Sequence, residues 1–323
     1  RRVRCDRVGT RRDRIPEWRL RKDRRVSRPG PDPGVHGGDG IAVAAALGFD
    51  PDDVLDLSAS LNPVAPDVAA VVARHLRTIR RYPDPRRATA ALAEAMGVAA
   101  TQLLLTNGGS EAINLVGQDL GGTVVEPDFG LYPRSGGPRW RSNPNNPLGE
   151  LAPPDAEAGV WDEAFWPLAT GTWTRGDHTR GAVVVGSLTK LFACPGLRAG
   201  YVLSTDSELL ARCRACQPMW AVNGLVGACL PELLAVADLP RWREETARLR
   251  SDLLSVLGSA GLQVRDTAGP WVLVDNAGDL RTRLLRHAIV TRDCASFGLP
   301  GTVRIAVPTP DELARLDAAL RQP

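Results

Sequence analysis

Gly186-Ser-Leu-Thr-Lys190, followed eight residues on by Arg198 in Pro195-Gly-Leu-Arg-Ala-Gly-Tyr201, is the stretch on which the reading of the fold turns. An apolar run from Ala182 to Gly186 precedes it and reads as a strand. The strand therefore ends in a hydroxyl, a lysine and then a second cation. A lysine amine in such a loop can form an imine with an aldehyde cofactor, while Ser187 and Arg198 offer a hydroxyl and a planar fork to its phosphate. Composition singles out the same residue. The chain has two lysines, Lys22 and Lys190, and uses arginine elsewhere. Arginine cannot serve as an imine-forming amine, so one lysine kept inside an apolar, Gly-rich stretch points to a task that needs a deprotonatable group. An ordinary surface lysine is the alternative, and the apolar flanks disfavour it.

Working outward, Leu103-Leu-Leu-Thr-Asn-Gly-Gly-Ser-Glu111 reads as strand, glycine turn and helix start, with the helix running to Leu120 and a strand at Thr123 to Glu126. Free backbone N–H groups and the helix dipole converge at such a turn on any anion lying there, which makes Gly109 and Ser110 candidates for holding a phosphate. Most glycine turns before helices bind nothing, so the turn alone decides little. Asn143-Pro-Asn-Asn-Pro-Leu-Gly149 is a doubled Asn-Pro turn that also reads as a plain surface loop. Trp161-Asp-Glu-Ala-Phe165 also reads as a strand end with solvated acids. Their order along the chain says more than either does alone.

The remaining chain supplies a second unit. His36-Gly37-Gly38 opens an alanine-rich helix ending near Gly48, Val54 to Leu57 reads as a strand, and Pro66 to Arg80 and Arg86 to Met96 read as helices, the second stopped by Gly97. Helices are also expected at Leu209 to Cys216, Leu225 to Ala235 and, long and amphipathic, Pro240 to Leu257. Strands at Leu262 to Arg265, Trp271 to Asp275, Ile289 to Arg292 and Val303 to Val307, with a closing helix from Pro310, make a smaller α+β unit.

A chain of 323 residues that is 43% apolar can bury a large core. No apolar run reaches the roughly 18 residues of a membrane span, and the Arg-rich start lacks the apolar stretch of a secretory signal, so the chain reads as soluble and cytoplasmic, with no membrane partner. Six cysteines are scattered, and the close pair Cys213 and Cys216 has no second pair or clustered histidines to complete a zinc site, so no metal is expected. The net charge of +3 hides a division, because residues 1–28 carry twelve Arg and one Lys against four acids. Pro, Gly and Asp among these charges, without aromatic interleaving, read as a disordered basic arm over 1–33 and not as a nucleic-acid binder.

Taken together, glycine turn, Asn-Asn-Pro turn, Asp-Glu-Ala-aromatic and Ser-x-x-Lys with Arg eight further on resemble the motif order of pyridoxal-phosphate (PLP) fold-type I aminotransferases. From His36 onward the chain most resembles the threonine-phosphate decarboxylases of cobalamin biosynthesis, themselves similar to histidinol-phosphate aminotransferases. That likeness rests on His36-Gly-Gly38, Leu55-Asp-Leu-Ser-Ala-Ser-Leu-Asn-Pro63, Arg81-Tyr-Pro-Asp84, Ser187 to Tyr201, Trp220-Ala-Val-Asn223 and Val303-Arg-Ile-Ala-Val307. Phe165 stands where the aminotransferases usually carry tyrosine, which favours the decarboxylases.

The resemblance implies an α/β fold, a three-layer αβα large domain over 61–220 with a smaller α+β domain from 34–60 and 221–323. It implies that Lys190 carries the cofactor and that Asp162 pairs with its ring nitrogen. Phe129 would stack on the ring, Asn146 would donate to its hydroxyl oxygen, and Gly109, Ser110, Ser187 and Arg198 would hold its phosphate. Tyr82 would reach into a partner subunit's site, hence a homodimer. Arg304 would hold the substrate carboxylate, and His36 and Arg292 the substrate phosphate, although by themselves these two read equally as a loop histidine and a strand-end arginine. The implied reaction is decarboxylation of L-threonine O-3-phosphate, a phosphorylated amino acid, to (R)-1-amino-2-propanol phosphate. The alternatives are a histidinol-phosphate-type aminotransferase and a degraded, non-catalytic homologue.

Two regions depart from that pattern. Sixteen residues lie between Phe129 and Asn146 and twelve between Gly149 and Asp162, too few for a strand-helix-strand unit, which takes about 30. The central sheet is therefore expected to lack elements, with Gly136-Gly137-Pro138 as a connection and core edges exposed over 130–160. Ser60 replaces the Asn usual in the decarboxylases.

Overall fold

The computed structural model describes residues 30–34 and 36–322, so the basic run of residues 1–28, Lys22 included, lies outside the described residues. Helix α1 (Gly40–Leu47), strand β1 (Leu55–Asp56) and helices α2 (Val68–His75) and α3 (Arg86–Met96) come first. The large sheet and its helices follow. They are β2 (Leu103–Thr106), α4 (Gly109–Leu120), β3 (Thr123–Val124), β4 (Arg139–Ser142), β5 (Val160–Asp162), α5 (Trp166–Thr170), β6 (Val183–Ser187), α6 (Leu188–Leu191) and β7 (Gly200–Leu203). Helices α7 (Ser207–Cys216), α8 (Gly224–Ala235) and α9 (Leu239–Ser259) lead to β8 (Gln263–Arg265), β9 (Trp271–Asp275), α10 (Leu280–Leu285), β10 (Ile289–Val290), β11 (Arg292–Asp293), β12 (Val303–Ala306) and α11 (Pro310–Leu320). Among the described residues, no helix is long and apolar enough to cross a membrane.

The six-stranded sheet runs β2-β7-β6-β5-β4-β3, parallel except that β7 is antiparallel to both its neighbours. Side chains alternate across it, as the twofold period of a strand requires. Leu103 and Leu105 face a cluster with α3 and α8, whereas Leu104, Val183, Val185 and Val202 face one with α4 and α7. Helices cover both faces, which makes the three layers of an α/β fold. The α3 helix shows why such a layer forms: Ala88, Leu92, Ala93 and Met96 are buried on one stripe, and Gly97, at φ +67°, closes the helix with its N–H on the carbonyls of Ala93 and Glu94. The smaller unit is an antiparallel sheet β11-β12-β9-β8 with α9, α10 and α11 packed on it. A capping box of Thr309 and Glu312, with Pro310 at the first turn, starts α11.

Several expectations are corrected in detail. The helix expected over 66–80 ends at His75 and tightens into a 3₁₀ turn over Leu76–Arg80. The strand expected over 289–292 is two strands: β10 pairs parallel with β1, while β11 pairs antiparallel with β12. A change of domain at residue 221 would assign α8 to the smaller unit, but α8 buries Val226, Cys229, Leu230 and Leu233 with α3 in the large-sheet cluster. The long α9 spans both, with Leu239 and Trp242 in that cluster and Leu249, Leu253 and Leu257 in the smaller one.

The shortened region is also better built than its length suggests. Gly136 and Gly137 do serve as a connection, at φ +86° and +125°, but β4 and β5 follow and complete the sheet. What is lacking is a helix in either the β3–β4 or the β4–β5 connection. Trp161, on β5 beside those short connections, is only 1% exposed. The Arg175 guanidinium lies 4.6 Å above its ring and donates to the carbonyls of Pro153, Pro154 and Ala156. One planar cation thus covers the ring and satisfies an irregular segment that has no ladder of its own.

Candidate active site

The sheet delivers its functional side chains at strand ends. At one corner, β2 ends in the turn Asn107-Gly108, and α4 starts at Gly109. Gly108 is at φ +83°, and a Cβ there would stand 2.4 Å from Nη2 of Arg198, so the guanidinium lies directly over the turn. A Cβ on Gly109 would stand 3.2 Å from Cβ of Ser187. Residues 108–110, 187 and 198, far apart in sequence, therefore converge at the N-terminus of a 12-residue helix, with Ser110 in its first turn. Backbone N–H groups, a hydroxyl and a guanidinium at one helix end form a receptor for an anion.

Lys190 sits in α6, the single turn after β6. Asn62 clamps that turn: its backbone N–H donates to the Lys190 carbonyl at 3.0 Å, and its side-chain amide to the Leu191 carbonyl at 2.9 Å. Thr189 is tied to the Ala199 carbonyl on the other side. Among the described residues, no hydrogen bond or ion pair forms to the Lys190 amine. Burial, assisted by the positive fields of Arg304 and Arg198, lowers its pKa from 10.5 to about 8.

Asp162 ends β5, 8% exposed, and its register partner on β4 is Ser142. Its Oδ1 accepts the Ala164 N–H at 2.9 Å and its Oδ2 the Tyr132 hydroxyl at 2.8 Å. Burial raises this carboxyl to about 6, against the pull of those two donors. Beside it, Asp128 accepts from the Phe129 amide and from the amide and hydroxyl of Ser142, whose Oγ in turn accepts the Asn146 N–H at 2.7 Å. This network holds the Asn-Pro turn. Asn146 Oδ1 then accepts from Arg304 Nη1 at 2.6 Å, which joins the large sheet to the smaller one.

Arg304 and Arg292 are direct register partners on β12 and β11, and they are 6% and 1% exposed. Their guanidinium groups lie 6.0 and 5.3 Å from the Phe297 ring. Arg292 also donates to the Gly34 carbonyl and to the Ser296 hydroxyl. His36 lies on an exposed segment, its ring centroid 5.9 Å from that of Phe129. Phe165 turns away toward the smaller unit and meets Trp271 edge-on at 4.7 Å. Tyr82 is apart from this assembly, 79% exposed against Trp220.

Sequence reasoning passed over Tyr132, Asp128, Ser142 and Asn62, which touch the expected residues and hold them. Asn62 lay inside a quoted motif, and Tyr132 is one of three tyrosines in the chain. Asp128 and Ser142 gave no signal, because nothing in sequence brings a loop carboxylate after β3 against the end of β4.

A family model described as "Aminotransferase class I and II" matches residues 141–320. The chain is 31% identical to the threonine-phosphate decarboxylase of Salmonella typhimurium, over 89% of this chain and 96% of that one. It is 26% identical to histidinol-phosphate aminotransferase 1 of Dechloromonas aromatica, over 87% and 92%. Among solved structures, the histidinol-phosphate aminotransferase of Sinorhizobium meliloti, in complex with pyridoxal-5'-phosphate, superposes with a TM-score of 0.71 at 18% identity, over 81% of this chain and 89% of that one.

Proposed function

The chain belongs to the family of class I and II aminotransferases, a family of PLP-dependent enzymes, and on that premise we propose that it decarboxylates L-threonine O-3-phosphate to (R)-1-amino-2-propanol phosphate. The residues present fit the cofactor. An amine with no hydrogen-bond partner among the described residues, a buried carboxylate, and a glycine turn that a Cβ would fill are three receptors that suit PLP. Gly109, Ser110, Ser187 and Arg198 would hold its phosphate, Phe129 its ring face, Asn146 its hydroxyl oxygen and Asp162 its ring nitrogen. Bound at Lys190, PLP supplies an aldehyde for the substrate amine and a ring that accepts the electron pair released at Cα.

The observation that carries the choice of substrate is the pair Arg292 and Arg304, two buried guanidinium groups directly opposite each other on adjacent strands. Such a pair suits a small molecule with two anionic groups. Threonine phosphate has a carboxylate for the Arg304 fork and a phosphate for Arg292 and His36, whereas histidinol phosphate carries its phosphate alone. Arg304 would fix the carboxylate, and with it the bond at Cα that breaks. Lys190, with a pKa near 8, is partly neutral at physiological pH and can carry the proton that replaces the lost carbon dioxide. Phe165, in place of a phenol, leaves Asn146 as the donor to the cofactor hydroxyl. Tyr82, exposed on this protomer, would complete the site of a second copy, so we read the enzyme as a homodimer.

Incubation with PLP and L-threonine O-3-phosphate tests this. Release of carbon dioxide, with a product keeping amine and phosphate, is the expected outcome. A product that keeps its carboxylate and loses its amine to a 2-oxo acid would make the chain an aminotransferase, and PLP bound without any turnover would make it a non-catalytic homologue.

A further inference from the structure

The cofactor reading sets Asp162 against the ring nitrogen of PLP, and a neighbour that reading does not use governs this carboxylate. Tyr132 is 3% exposed, and its hydroxyl donates to Oδ2 of Asp162 at 2.8 Å. The phenol has no freedom to swing away. Its ring is stacked on Trp140, centroids 5.3 Å apart at 30°, and meets Phe129 edge-on at 5.6 Å and 76°. Trp140 is held in turn by its indole N–H, which donates to the Gly121 carbonyl at 2.9 Å.

The titratable groups that face Asp162 are Tyr132 and Asp128 from the segment after β3, Lys190 from α6 and Tyr201 from β7. Asp128 repels a second carboxylate, and burial disfavours any charge there, so Asp162 without its donors would take up a proton. A protonated Asp162 has no charge to pair with a pyridinium. Tyr132 itself stays a donor, because burial and the two carboxylates push its phenol well above the usual range.

We propose that Tyr132 is a positioning residue whose hydroxyl holds the Asp162 carboxylate in one orientation and in its charged form, ready to pair with the protonated ring nitrogen of PLP. The proposal rests on the cofactor reading above.

The full-length Tyr132→Phe variant keeps the ring with both its ring contacts and loses one O–H. Equilibrium titration with PLP, followed by cofactor absorption across acid to alkaline pH, compares it with the wild type. The acid-side loss of binding is expected to begin about one pH unit higher, the size of one hydrogen bond to a charged acceptor, so that affinity falls about twofold near neutral pH and about tenfold on the acid side. In an Asp162→Asn background the same Tyr132→Phe change is expected to cost nothing, since no titrating carboxylate remains. A merely structural hydroxyl would carry its loss into that background as well. Curves that coincide for wild type and Tyr132→Phe, or an equal loss in both backgrounds, overturn the proposal while leaving the cofactor reading standing. A wild-type protein that takes up no PLP overturns both.

Discussion

Lys190 is held in an environment that opposes its charge. Its pKa in the folded chain, about 8, lies below the ordinary 10.5, so at neutral pH the folded state must keep a buried ammonium that the unfolded chain leaves in water. The sign follows from linkage. A depressed lysine costs stability in full below about pH 8, and the cost fades as pH rises through 10.5, above which both states are neutral. Lys190→Met, which keeps the length and drops the charge, is therefore expected to raise the melting temperature of the cofactor-free protein at pH 7 by on the order of 5 °C. At a pH near 10 the gap is expected to narrow. Calorimetry at both values checks this, and a variant less stable than wild type at pH 7 would contradict it. The lysine was legible in the sequence because the chain almost never uses that residue. Its partners were less so: Asn62 holds the Lys190 turn from 128 residues away, and no local pattern announces that contact.

At the scale of elements, strands flanked by glycine turns and helices closed by glycine were readable, since their periodicity and stop signals are local. The helices α3, α8, α9 and α11 and the strand β9 lie where the pattern puts them. Strand β4, Arg-Trp-Arg-Ser, was not readable, because its two arginines break the apolar run. One of them, Arg141, lies 5.7 Å over the Trp161 ring, an alternation that only the assembled sheet explains. The region around Trp161 also defines a test. With no helix in the adjoining connections, Arg175 supplies the ring cover and three hydrogen bonds to carbonyls. Arg175→Ala is expected to destabilise the fold by about 3 kcal/mol, seen as a fall in melting temperature of several degrees. Arg175→Lys is expected to recover little, since an ammonium neither stacks nor forks. A melting temperature unchanged in Arg175→Ala would show that the loop covers Trp161 unaided.

Over the whole molecule, the alignment with the Salmonella decarboxylase runs to 353 positions, more than the 323 residues of this chain, so that relative has residues with no counterpart here. In this chain the β3–β4 and β4–β5 connections hold no helix, and six strands make the sheet that carries the site. The two units meet through the Asn146–Arg304 hydrogen bond and through α9, so a substrate anion at Arg304 would act at their junction. The proposed sharing of Tyr82 between subunits has its own test. Tyr82→Ala and Lys190→Ala chains, each inactive alone, are expected on mixing and exchange to recover about a quarter of wild-type activity, because mixed dimers contain one complete site. No recovery from exchanged dimers would place Tyr82 outside the partner's site.

The central claim, that this chain is a PLP enzyme acting through Lys190, is tested most directly by the visible absorption spectrum of the purified protein with added PLP, wild type beside Lys190→Ala, followed by borohydride reduction and peptide mass analysis. An imine band in the wild type, lost in Lys190→Ala and trapped by reduction on Lys190, is the expected result. A folded wild-type protein that shows no such band, or traps the cofactor on no residue, would contradict it.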